Sequence, residues 1–148
     1  HTMKLDEIQL QWEKDSQIDQ ANLGFEATRN PQLYSKYLNY LSNAKLIVRK
    51  AQSDYLVARK RKLKYYRGEM TKPELEAYGW HQYQGRTLLK TEMDDTLRMD
   101  SELRKLEDKV EYHTVVQSFL EGVVKSLSTR GWEIKSAIEW HKCQQGLM

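Results

Sequence analysis

The sequence predicts an all-α protein built from two long helices with short N-terminal, linker and C-terminal helices. Apolar residues recur at three- and four-residue steps along most of the chain, and no segment alternates like a β-strand. Helix start and stop signals separate these periodic stretches. The 148 residues suffice for one modest core, so we expect a single helical domain over residues 3–148. The residues before Met3, His1-Thr2, are expected to be a cloning remnant.

The N-terminal region predicts a short helix followed by the first long one. The short helix is indicated by the spacing of Leu5, Ile8 and Trp12. Asn30-Pro31 predicts the start of the long helix, with asparagine as the N-cap and proline at the first helical position. Gly68 predicts its end, because glycine readily adopts the left-handed conformation of a helix C-cap. The first long helix is therefore expected over residues 31–67.

One face of this helix carries a regular seam of small and aromatic residues. Its members recur at alternating three- and four-residue steps, as in a coiled coil: Tyr34, Tyr37, Leu41, Ala44, Val48, Ala51, Tyr55, Ala58, Lys62 and Tyr65. We expect the seam to be buried. The last two turns are charged on every side, so this end of the helix is expected to project into solvent or to contact an anionic partner.

The second half of the chain predicts three further helices. Thr71-Lys72-Pro73-Glu74 reads as a capping box opening a short linker helix that ends near Gly79. A second long helix is expected over residues 92–129, with Gly131 as its break. A separate C-terminal helix over residues 132–143 is unusually apolar and predicts self-association. Its candidate interface residues are Trp132, Ile134, Ala137, Ile138, Trp140 and His141.

A short basic run is the strongest functional signal. Within nine residues it holds six cations and two tyrosines without one acid: Arg59, Lys60, Arg61, Lys62, Lys64, Tyr65, Tyr66 and Arg67. Basic side chains neutralise phosphates and aromatic rings stack on unpaired bases, so the run favours single-stranded nucleic acid. Asp54 is the sole acid between Lys45 and Arg67, so positive charge is concentrated here although the whole chain carries only +3. The alternative is a solvated helix face with two partly buried tyrosines.

The sequence contains no enzyme signature. A glycine-rich phosphate loop, a nucleophile elbow and a paired-histidine metal motif are all absent, so we expect no catalytic residue, metal or cofactor. His141 and Cys143 are two positions apart, which directs them to different sides of a helix. The lone Cys143 cannot form an internal disulfide and is typical of a reducing compartment. With no long apolar run, a soluble intracellular protein without a membrane span is expected.

Four segments stand out by their order and spacing. They are Leu33-Tyr34-Ser35-Lys36, the run from Lys60 to Gly68, Lys90-Thr91-Glu92-Met93, and Arg130-Gly131-Trp132-Glu133-Ile134-Lys135. Together they resemble the UvsY-type recombination mediators of T4-like bacteriophages, and the resemblance extends from Leu5 to about Cys143. Arg61 and Lys64 depart from the family pattern, which has alanine and aspartate there, and both departures raise the charge of the run.

The resemblance implies a non-enzymatic mediator. Proteins of this family bind single-stranded DNA and help to load a RecA-like recombinase onto DNA covered by a single-strand-binding protein. They form closed homo-oligomers, so a hexameric or heptameric ring is expected here, with the C-terminal region important for self-association. The resemblance assigns DNA contact to Lys60 and Lys62, whereas the other residues of the run are candidates from charge and stacking. The implied location is the cytoplasm of the infected bacterial host.

Two other functions are compatible with the sequence. A purely structural helical adaptor would explain the seam and the apolar C-terminus but would leave the basic run without a role. A protein that binds membrane surfaces or acidic proteins would use the same cations. Binding of single-stranded DNA by the folded oligomer would exclude the adaptor, and a preference for oligonucleotides over anionic vesicles would exclude the surface binder.

Overall fold

A computed structural model describes residues 2–146 of the chain, and this part contains five α-helices and no strand. They are α1 (Leu5–Asp15), α2 (Leu23–Tyr66), α3 (Lys72–Tyr78), α4 (Lys90–Met99) and α5 (Ser101–Gln144), with a 3₁₀ turn at Gln20–Asn22. The predicted all-α fold with two long helices is confirmed. No helix within residues 2–146 has the length and apolarity needed to cross a bilayer. His1 of the expected cloning remnant and residues 147 and 148 of the expected domain lie outside the described residues.

The chain divides into two compact units. The first takes in the residues up to Leu46 and those from Thr114 onwards, and the second is Ile47–His113. Helices α2 and α5 each contribute a part to both units. The single domain expected over residues 3–148 stays a prediction.

The first unit packs α1, the first part of α2 and the last part of α5 around one apolar core. Its buried residues are Ile8, Leu33, Tyr37, Leu41, Ala44, Val116, Leu120, Val123 and Leu127. The Tyr37 ring is fully buried and meets the Trp12 ring edge-on at a centroid distance of 5.3 Å. Its hydroxyl donates to the Asp15 carboxylate at 2.8 Å, so this buried tyrosine keeps a hydrogen-bond partner.

The start predicted for the first long helix is wrong. Helix α2 begins at Leu23, eight residues before Pro31, which lies inside the helix. Asn30 caps nothing: its side-chain amide donates to the Leu127 carbonyl oxygen at 3.1 Å and accepts from the Arg130 guanidinium at 2.9 Å. A proline costs a helix one backbone hydrogen bond. Contacts between α2 and α5 stabilise the turns before Pro31 and offset that loss.

A buried charged cluster holds this extension of α2. Arg130 of α5 is only 4% exposed, and its guanidinium donates to the Gln17 carbonyl oxygen at 2.7 Å and lies 3.9 Å from the Glu26 carboxylate. Glu26 also accepts hydrogen bonds from the Asp19 backbone N–H at 2.7 Å and the Arg29 side chain at 2.8 Å. Buried charges persist only when they are paired in this way. The cluster therefore ties the start of α2 to the loop before it and to α5.

The second long helix predicted over residues 92–129 is in fact two helices. Asp100 lies between α4 and α5 in an extended conformation, with φ −62° and ψ 127°. Its carboxylate accepts a hydrogen bond from the Leu103 backbone N–H at 3.0 Å, the geometry of an N-cap. The cap starts α5 at Ser101 and makes a new helix begin inside the periodic stretch.

Gly131 does not break α5, so the separate C-terminal helix predicted over residues 132–143 is also wrong. Helix α5 continues to Gln144. A Cβ atom at Gly131 would lie 3.2 Å from the side-chain nitrogen of Asn30. That nitrogen is held by its hydrogen bond to Leu127, so glycine at 131 serves the close approach of α2 and α5 instead of ending the helix.

The second unit contains the end of α2, helices α3 and α4, and the start of α5. Its core is formed by Ala58, Met93, Leu97 and Leu103. Gly68 ends α2 with a φ of +70°, and Glu69 donates its N–H to the Lys64 carbonyl oxygen at 3.1 Å. The predicted end of α2 and the predicted capping box between Thr71 and Glu74 are both confirmed.

Candidate nucleic-acid interface

The basic end of α2 packs within the second unit instead of projecting freely. Most of the predicted seam is buried, and Tyr34 is the member left exposed, at 37%. Lys62 is itself buried, at 9% exposure, and most of the run around it is half-buried. The expectation that a turn charged all round cannot pack is therefore wrong. Carboxylates and aromatic rings from later segments cover part of it.

Asp100 is the centre of a buried polar group. Its carboxylate lies 3.2 Å from the Lys62 ammonium and accepts a hydrogen bond from the Tyr66 hydroxyl at 2.7 Å. Burial raises the pKa of Asp100, but the hydrogen bonds from Tyr66, the Leu103 backbone and Lys62 lower it more, so its net pKa lies below the ordinary value. Glu102 adds a second carboxylate 3.4 Å from Lys62. Lys62 and Tyr66 thus connect the basic run to the α4–α5 junction.

Lys64 is paired with the capping box of α3. Its ammonium lies 2.9 Å from one Glu74 carboxylate oxygen and 3.0 Å from the other. The backbone N–H of Thr71, the Lys64 ammonium and the Thr71 side chain together lower the pKa of Glu74 to about 2. Lys64 therefore fastens α3 to the end of α2, and one predicted DNA contact is already neutralised.

The Glu74 carboxylate should make stability depend on pH. Its pKa of about 2 in the folded protein lies below the ordinary 4.5, so ionised Glu74 stabilises the fold above about pH 4.5, and this contribution is lost as pH falls towards 2. Glu74→Gln removes the charge while glutamine can still serve a capping box. We expect the variant to unfold at a lower temperature than the wild type at pH 5, with the difference vanishing near pH 2. Thermal unfolding of both proteins across this range measures it, and a constant difference would contradict the assignment.

Lys60 and Arg67 are the exposed cations of the run. Neither side chain has a hydrogen bond, ion pair or ring contact within residues 2–146. Seven positions correspond to about two turns, so the two side chains lie on the same side of α2. Arg59 keeps a looser ion pair with Asp94 at 3.9 Å, where its side chain is 39% exposed. These three cations are available to an anionic partner, unlike Lys62 and Lys64.

A groove of about 720 Å³ runs beside the available cations. Arg59 and Arg67 line it together with two cations from after α3, Arg86 and Lys90. Its lining also contains Leu63, Tyr66, Tyr83, Leu88, Met93, Asp94 and Glu69. Arg86 is paired with Glu92, whereas Lys90 is exposed and has no partner in the described chain. The sequence did not predict these two cations, because the segment that leads from α3 to the start of α4 has no periodicity that would place it beside α2.

Tyr65 and Tyr66 are largely occupied by contacts within the second unit. The Tyr66 ring meets the Tyr65 and Tyr83 rings edge-on, and its hydroxyl is bound to Asp100. Tyr65 also meets the Trp80 ring at 5.3 Å and the Tyr83 ring at 5.9 Å. Both tyrosines are half-buried. The structure therefore places them in the aromatic packing that positions the end of α2.

Some of the predicted C-terminal interface residues are packed inside the first unit, and others are exposed. Ile134 is 2% exposed and buried within the first unit, and Ala137 and Ile138 are half-buried. Ile134 and Ile138 line a cleft with Ala27, Asn30, Pro31 and Gly131 of the same unit. Trp132, Trp140 and His141 are exposed, the two tryptophans at 67% and 62%. Ile134 is therefore not an exposed interface residue, because it is buried beside the cleft that Ala27 and Asn30 also line.

No group of three or more histidine, cysteine, aspartate or glutamate side chains with metal-binding geometry occurs among residues 2–146.

The family model described as "Recombination, repair and ssDNA binding protein UvsY" matches residues 11–147 of the chain. The chain belongs to the UvsY family. The resemblance seen in the sequence is thereby confirmed. The UvsY match covers both the basic run and the C-terminal part of α5.

Individual UvsY proteins agree with the family match. The chain is 30% identical over 133 residues to "Recombination protein uvsY" of Enterobacteria phage T4, covering 90% of this chain and 91% of that protein. A crystal structure of the bacteriophage T4 recombination mediator protein UvsY (lattice type II) superimposes with a TM-score of 0.84 at 28% identity, covering 97% of this chain and 98% of that one. The lattice type IV structure gives a TM-score of 0.83 at 28% identity, over 94% and 98% of the two chains.

UvsY proteins act in recombination and repair and bind single-stranded DNA. As a member of the family, this protein is a single-stranded-DNA-binding recombination mediator and not an enzyme. The function predicted from the basic run and the four anchor segments is confirmed at this level.

Proposed function

We propose that the protein loads a RecA-like recombinase onto single-stranded DNA covered by a single-strand-binding protein, as a homo-oligomer. The support is its membership of a family of recombination mediators, together with a concentrated basic surface on a chain of low net charge. A mediator must hold DNA strongly enough to compete with the covering protein and then release it to the recombinase. Several modest contacts on one particle meet both needs, because multivalency multiplies their effect.

The DNA-contacting surface in this proposal combines the exposed cations of α2 with the adjacent groove. Lys60 and Arg67 contact phosphates directly, and Arg59, Lys90 and Arg86 line the groove that the strand follows. The observation that carries this assignment is that Lys60 and Arg67 have no partner within residues 2–146, although they lie among paired cations. A cation without an intramolecular partner can neutralise a phosphate without first breaking an ion pair.

Lys62 has a different role in this proposal. The resemblance implies DNA contact for it, but its ammonium lies 3.2 Å from Asp100 and 3.4 Å from Glu102. We assign it to fixing the end of α2 against α5, so that Lys60 and Arg67 are presented in a defined geometry. Lys64 acts in the same way through Glu74. Arg61, which the family pattern does not provide, adds a cation beside α3.

A strand-exchange assay tests the proposed mediator activity. A RecA-like recombinase is supplied with single-stranded DNA already covered by a single-strand-binding protein. The wild-type protein should shorten the lag before recombinase filaments form, and Lys60→Ala/Arg67→Ala should restore most of that lag. No shortening by the wild type, with single-stranded DNA binding intact, would refute the loading role while leaving the binding role standing.

Self-assembly is proposed to use the exposed end of α5. Trp132 and Trp140 are 67% and 62% exposed, which is unusual for the largest apolar side chain and is typical of an interface. Native mass measurement should show a homo-oligomer for the wild type and smaller species for Trp132→Ala/Trp140→Ala, since both anchors are removed. A double variant of unchanged native mass would place the interface elsewhere on the protein.

A further inference from the structure

A stacked pair of aromatic rings lies beside the basic run, at the end of α3, with Tyr78 exposed and Trp80 half-buried. The Tyr78 and Trp80 rings stack with a centroid distance of 4.9 Å and an interplanar angle of 28°. Tyr78 is 47% exposed, and its hydroxyl makes no hydrogen bond within residues 2–146. Neither ring belongs to the basic run itself, so the sequence pattern gave no reason to connect them with nucleic acid.

Two cations of the run lie against this pair. The Arg61 guanidinium carbon is 4.4 Å from the Tyr78 ring centroid, and the Lys62 ammonium is 4.3 Å from the Trp80 ring centroid. Both distances are within the range of cation–π attraction. The aromatic pair is therefore attached to the basic helix through Arg61 and Lys62.

The geometry of the pair is preorganised by the end of α3. Gly79 lies between the two rings with a φ of +66°, a left-handed conformation that glycine adopts readily. The Gly79 N–H donates to the Glu76 carbonyl oxygen at 3.1 Å, and the Trp80 N–H donates to the Leu75 carbonyl oxygen at 2.9 Å. This is a Schellman motif, which fixes the chain direction after the helix. The Tyr65 ring meets the Trp80 ring edge-on, with a centroid distance of 5.3 Å, and so supports the pair from the α2 side.

We propose that the Tyr78–Trp80 pair is a stacking platform for an unpaired base of single-stranded DNA, with Arg61 neutralising a phosphate of the same strand. The inference rests on the proposed DNA-binding surface and adds base recognition to it. Half-exposed aromatic rings within a cationic surface are the arrangement that non-specific single-strand binders use. Tyr65 and Tyr66 are less suited, because both are half-buried, and four ring contacts and the Asp100 hydrogen bond already occupy them.

Binding to two oligonucleotides distinguishes base stacking from phosphate contacts. One is a labelled oligothymidylate, and the other is an oligonucleotide of equal length made of abasic sites, which has the same phosphates but no bases. The full-length wild-type protein should bind the oligothymidylate more tightly. Tyr78→Ala should weaken oligothymidylate binding by about 5- to 150-fold, the range for loss of one base–aromatic stack. Its affinity for the abasic strand should stay within about twofold of the wild type, because every cation that contacts phosphate is retained.

Two further variants complete the design. Tyr78→Phe keeps the ring and should retain wild-type affinity for the oligothymidylate. Tyr34→Ala is the matched control, since Tyr34 is 37% exposed and lies in the first unit; it should change neither affinity. If Tyr78→Ala weakened binding of both oligonucleotides equally, or weakened neither, the stacking platform would be overturned. A wild-type protein that binds neither strand would overturn the proposed DNA surface itself, so the two failures are distinguishable.

Discussion

Replacing Lys62 with alanine should lower the free energy of unfolding by about 3 to 5 kcal/mol, the cost of removing one partner of a buried ion pair. The Lys62 side chain is 11% exposed and that of Asp100 only 4% exposed, so water cannot replace the lost ammonium fully. The Asp100 carboxylate would remain buried with Tyr66 and the Leu103 backbone as partners. Urea unfolding followed by circular dichroism, at one fixed protein concentration, measures the difference.

Lys60→Ala is the matched control for this prediction. Lys60 is exposed and unpaired within residues 2–146, and alanine is a good helix former. Its free energy of unfolding should therefore stay within about 0.5 kcal/mol of the wild type. If Lys62→Ala were as stable as Lys60→Ala, the ion pair with Asp100 would contribute nothing to the fold. Lys62 would then be free to act as a DNA contact like its neighbour.

Replacing both Lys60 and Arg67 with alanine should weaken single-stranded DNA binding and reduce its dependence on salt. The wild-type protein should show a slope of at least about −2 for log affinity against log salt, since several phosphates are neutralised. Each phosphate contact on a single strand contributes roughly 0.7 to that slope, so the double variant should lose about 1.4. Titration of a labelled oligonucleotide at several salt concentrations gives both slopes.

Lys4→Ala/Lys14→Ala controls for the change in net charge. Both lysines are exposed, belong to the first unit and have no side-chain partner within residues 2–146. Removing them lowers the net charge by the same amount as the test variant, so its salt slope should stay close to that of the wild type. Equal loss of slope in the two double variants would show that binding follows overall charge, and the assignment to Lys60 and Arg67 would fail.

Helix caps and helix ends that depend on neighbouring residues were predictable from the sequence. The end of α2 at Gly68, the capping box of α3 and the end of α3 at Gly79 were all predicted correctly. Each depends on hydrogen bonds between residues at most five apart, so the local sequence contains both partners. The buried seam of α2 was predicted for a related reason, since helical periodicity shows which side chains share a face.

The wrongly predicted helix boundaries lie at residues whose side chain or backbone contacts residues far away in the sequence. Asn30 resembles an N-cap, but its side chain binds Leu127 and Arg130, about a hundred positions away. Gly131 resembles a helix stop, but it allows Asn30 to approach α5 closely. Asp100 lies in a stretch whose periodicity predicts one continuous helix, but its side chain caps α5 and binds Lys62 and Tyr66.

The composition of the run determined by itself that this protein presents a concentrated positive charge, and the order of its anchor segments determined the family. Only the tertiary structure decided which of those charges are available. Glu74 and Asp100 are 10 and 38 positions from the lysines they neutralise, and the fold brings each within 3.2 Å of its partner. Coulombic attraction depends on distance in space and not along the chain. Lys60 and Arg67 stay unpaired because, within residues 2–146, the fold brings no carboxylate to them.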